Sequence, residues 1–263
     1  MTTVTMTWRQ LAPQRGALAR LGPADPDVWS ERLRFDRERA ARHQPPQLAA
    51  ITEVVQERAR EAGAAAVVLS GSTARGRRTG VSDLDYHVIG AASLQVADLP
   101  EDIDLYADEI GRFQEKVRRG DDFAHWSVWY GCVLFDSGVV REAAGYVAAH
   151  DAWPDPGRKL RQARGALDFA EQMAASGDYA ATLEQVRGAL SLTARWLLLS
   201  HEVFPLARDE LSEQLEQLGQ VELALTLRRS IRERPADEYL REAVAHARSI
   251  IQSKLLPSGR LVA

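Results

Sequence analysis

The pattern of hydrophobic and polar positions divides the chain into regions of different character. Over residues 46–145, short β-branched runs alternate with helical periodicity, which is typical of an α/β domain. Over residues 155–257 the pattern is helical almost throughout, with only two prolines, Pro205 and Pro235, between Lys159 and Lys254, which indicates an all-α bundle. Residues 1–45 lack a regular period and are interpreted as an N-terminal extension. The predicted fold is a small mixed-sheet α/β (α+β) domain followed by a helical bundle.

The first region is predicted to contain four strands and at least two helices. The clearest helix begins after Pro45, because apolar residues then recur every three or four positions up to Gly63. A second helix is expected where Ile110, Phe113 and Val117 follow the third strand. The strands are short apolar or alternating runs, predicted at residues 65–70, 83–89, 102–107 and 132–135.

The second region shows amphipathic windows in close succession, which predict the helices of a bundle. They lie near residues 160–173, 183–197, 208–218, 220–233 and 236–253. In the extension, the apolar residues Val28, Leu33 and Phe35 could pack a short helix on the domain.

Composition excludes several classes of protein. The 263 residues include 33 Lys and Arg against 37 Asp and Glu, a formal charge of −4, which argues against a protein that coats nucleic acid or an anionic membrane. The single cysteine, Cys132, excludes an internal disulfide and a cysteine-rich zinc site. Apolar runs reach only about six residues, far short of the ~20 that a membrane span needs. The first residues lack the pattern of a signal peptide, so we expect a cytoplasmic protein.

The candidate chemistry lies in the predicted strands of the first region. Asp83 and Asp85 are two residues apart on one strand, so their side chains point the same way with Cβ atoms about 7 Å apart. Like charges so placed repel unless a cation lies between them. Mg²⁺ is a suitable cation for this pair of carboxylates, since it binds one or two carboxylates together with phosphate oxygens of a substrate. The next strand adds Asp102 and Asp104 on one face, and spacing alone does not choose between them.

A turn rich in glycine and arginine precedes the acidic pair. Residues 71–82 are predicted to form a turn, a short helical piece and a loop. Gly71 permits a close approach of the backbone to an anion, while Ser72 and Thr73 offer hydroxyl and N–H groups. Arg75, with Arg77 and Arg78 after it, could neutralise phosphate charge. Together these residues are interpreted as a triphosphate site.

At these residues the sequence resembles the minimal nucleotidyltransferase domain of the DNA polymerase beta-like superfamily. The shared pattern is Gly71-Ser72, ten residues, Asp83-Leu84-Asp85, and a third carboxylate in an apolar-Asp-apolar strand, here Ile103-Asp104-Leu105. The resemblance implies transfer of a nucleoside monophosphate from an NTP, with ATP expected, to a hydroxyl group, with release of pyrophosphate.

The resemblance also implies roles for individual residues. Asp83, Asp85 and Asp104 would hold Mg²⁺, with two ions expected, and Asp104 is favoured over Asp102 as the third carboxylate. Asp104 would be a metal ligand or the general base, and a carboxylate of the helical region is the alternative base. The residues that would grip the nucleotide are Gly71, Ser72, Thr73 and Arg75.

The domain order resembles antibiotic nucleotidyltransferases of the aminoglycoside and lincosamide type, in which a helical bundle follows the catalytic domain. The expected acceptor is therefore a small hydroxylated molecule such as an aminoglycoside. One alternative is an antitoxin-type enzyme that nucleotidylates a protein. Another is a nucleotide-binding regulatory module without turnover. The sequence favours no oligomeric state.

Two further features of the first region have two interpretations each. His87 lies on the same strand face as Asp85. It either contacts the nucleotide or the acceptor, or it is an ordinary polar residue at the end of the sheet. The aromatic residues Trp126, Trp129 and Tyr130 belong to the core or stack on a substrate ring.

Overall fold

The computed structural model describes residues 15, 16, 18–78, 82–91, 94, 103–208, 210–232, 244, 245, 247–250 and 252. The chain forms two compact units, Met1–Pro154 and Asp155–Ala263. The first combines a four-stranded sheet with helices, and the described part of the second is helical. The predicted fold class, a mixed-sheet α/β unit followed by an all-α unit, is confirmed.

The four predicted strands of the first unit are confirmed, with ends shifted by at most one residue. A 3₁₀ turn, Ala19–Leu21, comes before the first helix. In chain order the elements are α1 Pro26–His43, α2 Pro46–Glu61, β1 Ala66–Leu69, α3 Gly71–Arg75, β2 Leu84–Ile89, β3 Ile103–Asp108, α4 Ile110–Arg118, α5 Asp122–Trp129, β4 Cys132–Asp136 and α6 Val139–His150.

The sheet has the strand order β3-β2-β1-β4. Strand β1 pairs antiparallel with both of its neighbours, and β2 pairs parallel with β3. Every residue of β1 is buried, as expected for the apolar run of a central strand. In the parallel pair, Asp85 lies directly opposite Asp104. This register decides where the acidic side chains meet.

Helix α1 protects the outer edge of strand β4. The Asp36 carboxylate accepts a hydrogen bond from the Val133 N–H at 3.0 Å, and Arg37 Nε donates to the Leu134 carbonyl at 2.8 Å. These side chains satisfy backbone groups that would otherwise be open to another strand. The segment interpreted as an extension with a short helix therefore contains an 18-residue helix that belongs to the first unit.

The inner face of α1 is charged, which is why its hydrophobic pattern is weak. Asp36 lies between Arg32 at 3.1 Å and Arg39 at 3.1 Å, and all three side chains are buried. Arg32 Nη1 also donates to the Val128 carbonyl at 2.6 Å, and Arg39 Nη2 to the Tyr130 carbonyl at 2.8 Å. The cluster joins α1 to the end of α5 and to the residues that follow it before β4.

Helices α5 and α6 were not predicted from the sequence. Helix α5 is buried on nearly all sides, so its residues show no amphipathic period. Trp126, Trp129 and Tyr130 are all buried, which assigns this aromatic group to the core. Asp121 begins α5 by accepting hydrogen bonds from the backbone N–H groups of Phe123 and Ala124.

The described helices of the second unit are α7 Pro156–Ser176, α8 Tyr179–Ser200, α9 Leu211–Gln217 and α10 Val221–Arg232. Their apolar faces form one core that includes Leu167, Leu190 and Leu215. Of the predicted helix at 236–253, only residues 244, 245, 247–250 and 252 are among those described. None of the helices within the described ranges has both the length and the apolar character that crossing a bilayer requires.

Candidate metal centre

Three carboxylates meet at the start of the parallel strand pair. Asp85 lies in β2, Asp104 is its direct neighbour in β3, and Asp83 comes one residue before β2. Each offers an oxygen atom, and these oxygens all lie within 4.8 Å of one another. Asp83 and Asp104 are exposed and Asp85 is half-buried. We call these three residues the carboxylate triad.

The local fold explains the meeting of the triad. Residues that are direct partners in a parallel pair present their side chains on the same face, and residues two apart on a strand also point the same way. Asp85 therefore shares a face with both Asp104 and Asp83. Asp102, the other acidic residue considered in β3, lies outside the described residues.

The triad concentrates negative charge on one face of the sheet. Burial, followed by the charges of Asp83 and Asp104, raises the pKa of Asp85 to about 6. Burial and the neighbouring Asp83 also raise the pKa of Asp104. No described cation contributes to either shift. A divalent cation would reverse this repulsion and favour the ionised carboxylates.

The donor set fits a hard cation. The group consists of carboxylate oxygens, and it contains neither a histidine nor a cysteine among the described residues. Oxygen ligands suit Mg²⁺, Ca²⁺ or Mn²⁺, whereas zinc sites favour nitrogen and sulfur. The triad is therefore able to hold a metal ion of this hard type, and Mg²⁺ is the ion that the sequence predicts.

The turn after β1 is packed directly against the triad. Gly71 adopts a left-handed backbone with φ of 63°, and a Cβ atom at this position would lie 1.7 Å from Asp85 Oδ2. The Ser70 N–H donates to the Asp85 carbonyl at 2.7 Å, which ties the turn to β2. Glycine is thus required at residue 71 by both backbone conformation and space.

The other residues predicted to hold phosphate differ in accessibility. Ser72 is half-buried, whereas the Thr73 side chain is fully buried and its hydroxyl has no hydrogen-bond partner among the described residues. The Arg75 guanidinium lies 4.8 Å above the ring of Tyr130. Arg78 donates to the Ser82 carbonyl at 2.7 Å. Ser72, half-buried and directly after Gly71, is the more accessible of the two hydroxyl residues in this group.

His87 is a buried structural residue. Its Nε2 lies 3.0 Å from Asp108 Oδ2 and its Nδ1 lies 3.0 Å from Ser127 Oγ. Lys116 Nζ donates to the same Asp108 carboxylate at 2.6 Å. Although burial raises the pKa of Asp108, the hydrogen bonds from His87 and Lys116 lower it to about 2. This network joins β2, β3, α4 and α5 on the sheet face that carries the triad. It was not predicted, because its four residues are distant from one another in the chain.

Tyr106 is a residue near the triad that the sequence analysis did not identify. It lies two positions after Asp104 on the same face of β3, and 48% of its surface is exposed. Its ring lies 5.0 Å from the ring of Phe123 at an angle of 53°. Burial, followed by the charges of Asp104, Asp85 and Asp83, raises the pKa of Tyr106. The alternation of the DIDLYA segment was the available signal for this placement.

Three acidic residues of the helical region are candidates for the alternative base, and each has another interaction. Glu171 pairs with Arg248 at 2.5 Å, and Glu184 pairs with Arg187 at 2.6 Å. Asp178 begins α8 by accepting a hydrogen bond from the Ala181 N–H at 3.0 Å.

Comparison with known proteins gives only distant similarity, and it is to solved structures. No protein-family model matches the sequence, and no curated protein matches it. Among solved structures, the chain is similar to a nucleotidyltransferase-like protein from Exiguobacterium sibiricum 255-15, with 16% sequence identity and a TM-score of 0.39. The similarity covers 76% of this chain and 73% of that protein. At this distance it assigns no family, and the interpretation of the site rests on the geometry of the triad.

Proposed function

We propose that the protein is a Mg²⁺-dependent nucleotidyltransferase that transfers a nucleoside monophosphate from an NTP to a hydroxyl group of a small molecule. The observation that carries this proposal is the carboxylate triad, whose oxygens lie within 4.8 Å of one another on one sheet face. The second support is the turn at Gly71, which brings backbone against Asp85 without an intervening side chain. A metal-bound triphosphate requires both features, a cluster of anionic oxygens and an open turn beside it.

In the proposed reaction the acceptor oxygen attacks the α-phosphorus of the NTP. A new phosphorus–oxygen bond forms, the bond between the α-phosphorus and the α,β-bridging oxygen breaks, and pyrophosphate leaves with the bonding electrons. Two Mg²⁺ ions held by Asp83, Asp85 and Asp104 would supply Lewis-acid stabilisation of the phosphate charge. Gly71 and Ser72 would place the leaving phosphates next to Asp85.

The acceptor must lose a proton, and Asp104 is the group that we assign to receive it. Asp104 is exposed and lies on β3 at the edge of the sheet, where the acceptor oxygen can approach its carboxylate. The alternative bases in the helical region, Glu171, Glu184 and Asp178, are each engaged in an ion pair or a helix cap.

For the acceptor we propose a small hydroxylated molecule of the aminoglycoside type, with ATP as the donor. The support is electrostatic, since the acidic residues of the site and the net charge of −4 favour a cationic acceptor over an anionic one.

The test is pyrophosphate release from MgATP with a panel of hydroxylated acceptors. Asp85→Asn should reduce the rate by at least about a thousandfold, because removal of a metal ligand removes charge stabilisation in the transition state. Glu61→Gln, an exposed carboxylate on α2, serves as the control and should keep the wild-type rate. An Asp85→Asn rate equal to the wild-type rate would contradict the proposal.

The same experiment separates the two alternatives. Transfer to a protein would appear as a mass increase on that protein with no modified small molecule. Binding of MgATP without pyrophosphate release in the presence of any acceptor would indicate a regulatory module.

A further inference from the structure

The face of the sheet that carries the triad also carries an exposed aromatic ring. Side chains two apart on β3 share a face, so Tyr106 lies beside Asp104 and across the sheet face from His87, its partner in β2. His87 is completely buried, but Tyr106 is 48% exposed. Tyr106 is therefore an aromatic side chain of this sheet face that a ligand can contact.

The position of the Tyr106 ring is fixed by its packing against Phe123. Phe123 lies 5.0 Å from Tyr106 and 5.1 Å from His87, so the three rings pack in succession. The Phe123 backbone is held in turn by Asp121, which accepts its N–H at 3.1 Å. A ring that is already ordered loses little conformational freedom when a ligand binds to its free face. We call Tyr106 and Phe123 the aromatic platform.

The strand order places the aromatic platform opposite the phosphate turn. Gly71 follows β1 on one side of β2, and Tyr106 lies in β3 on the other side. In an in-line displacement the attacking oxygen and the leaving group lie on opposite sides of the phosphorus. With pyrophosphate leaving toward Gly71, the acceptor must approach from the side of β3.

From this geometry we infer that the aromatic platform binds the acceptor, and that the acceptor is a ring compound whose flat face stacks on Tyr106 while its hydroxyl group points toward Asp104. This inference rests on the proposed function and adds to it the side of the site at which the acceptor binds. Tyr106 is thus a specificity-determining residue. Aromatic side chains bind the faces of planar and saturated rings through dispersion, whereas an acyclic polyol offers no such face.

The experiment measures ligand binding and does not require turnover. Saturation-transfer NMR is recorded on the full chain with Mg²⁺ and α,β-methylene ATP, using myo-inositol, 2-deoxystreptamine and the acyclic polyol sorbitol as probes. The variants are Tyr106→Leu, which removes the ring, Tyr106→Phe, which keeps it, and Ile110→Ala as the control. Ile110 is exposed to a similar degree, 41%, and lies in α4 outside the strand face.

We expect the wild-type protein to bind at least one of the two ring alcohols about tenfold more tightly than sorbitol, a difference within the range measured for aromatic stacking. Tyr106→Leu should remove this preference, while Tyr106→Phe and Ile110→Ala should keep it. Binding of the nucleotide analogue should stay within twofold of wild type in all three variants. If Tyr106→Leu fails to fold, Tyr106→Thr replaces it, since threonine also favours strands.

The inference is overturned if the wild-type protein shows no preference for ring alcohols, or if Tyr106→Leu keeps the preference. Either result with intact binding of the nucleotide analogue leaves the proposed function standing and rejects only the role of the aromatic platform. Failure of the wild-type protein to bind the analogue with Mg²⁺ would instead reject the proposed function, and this inference with it.

Discussion

Gly71 and Asp85 fit together only because residue 71 has no side chain. A Cβ atom on Gly71 would lie 1.7 Å from Asp85 Oδ2 and 2.7 Å from Asp85 Cγ. The turn after β1 and the half-buried carboxylate of β2 therefore occupy adjoining space with no gap for a methyl group. The position of Asp85 depends on this contact, and so does its distance to Asp83 and Asp104.

Gly71→Ala should thus displace the Asp85 carboxylate and weaken divalent cation binding. Gly63→Ala is the matched control, because Gly63 also has a positive φ but no atom within 4 Å of an added Cβ. Both variants should lose about 1 kcal/mol of unfolding free energy from the left-handed backbone. The increase in melting temperature on addition of Mg²⁺ should persist in Gly63→Ala and vanish in Gly71→Ala. An equal increase in both variants would contradict this role of Gly71.

The repulsion within the triad should make the metal-free protein less stable at neutral pH than at mildly acidic pH. The pKa of Asp85 is raised from 3.8 to about 6 on folding, so the folded state binds the proton more tightly than the unfolded state. The free energy of unfolding in EDTA should fall as the pH rises from about 4 to about 6 and should then level off. Asp85→Asn should gain about 1 to 2 kcal/mol over wild type at pH 8, after allowance for solvent screening. Urea unfolding at several pH values measures this difference, and an Asn variant of lower stability at pH 8 would argue against it.

The Asp108 network should have the opposite pH dependence. Hydrogen bonds from His87 and Lys116 lower the pKa of Asp108 to about 2, so its contribution to stability is complete above pH 3.8 and is lost as the pH falls through 2. Asp108→Asn should cost about 2 kcal/mol at pH 7. The difference between wild type and variant should shrink between pH 4 and pH 2, as measured by thermal unfolding. A difference that is constant over this range would contradict the ionic nature of the network.

The charged inner face of α1 should contribute strongly to the stability of the first unit. Asp36→Ala leaves Arg32 and Arg39 buried beside each other without a carboxylate, and should cost about 3 to 5 kcal/mol. Glu31→Ala on the same helix breaks only the exposed contact with Arg34 and should change stability by less than about 1 kcal/mol. Chemical denaturation of the two variants tests the contrast. Similar small losses in both would show that α1 is a dispensable extension.

The sequence pattern was sufficient to predict the strands, whereas the meeting of the three carboxylates was expected only from the family resemblance of the motif residues. Strand alternation alone places Asp83 and Asp85 on one face of their strand. In β3 it separates Asp104 from its apolar neighbours Ile103 and Leu105, which point to the other face. The parallel pairing that sets Asp85 opposite Asp104 depends on strand order, which local patterns do not encode. The contact of Gly71 with Asp85 likewise becomes visible only once β1 and β2 are paired.

Other features were hidden because their physical basis is not hydrophobic periodicity. Helix α1 buries Arg32 and Asp36, so its inner face looks polar in the sequence. Helix α5 is buried on almost every side and shows no period. His87 had two interpretations until its partner Asp108, 21 residues away, was seen to lie 3.0 Å from it.

The most direct test of the central claim is a titration of the protein with Mn²⁺, a substitute for Mg²⁺, followed by electron paramagnetic resonance. The wild-type protein in the presence of ATP should hold one or two ions per chain. Asp83→Asn, Asp85→Asn and Asp104→Asn should each weaken binding by at least about tenfold, because each removes one of the few charged ligands of the site. Glu61→Gln should bind as wild type does. Equal Mn²⁺ affinity in the wild-type protein and the three triad variants would contradict the assignment of the metal to these carboxylates.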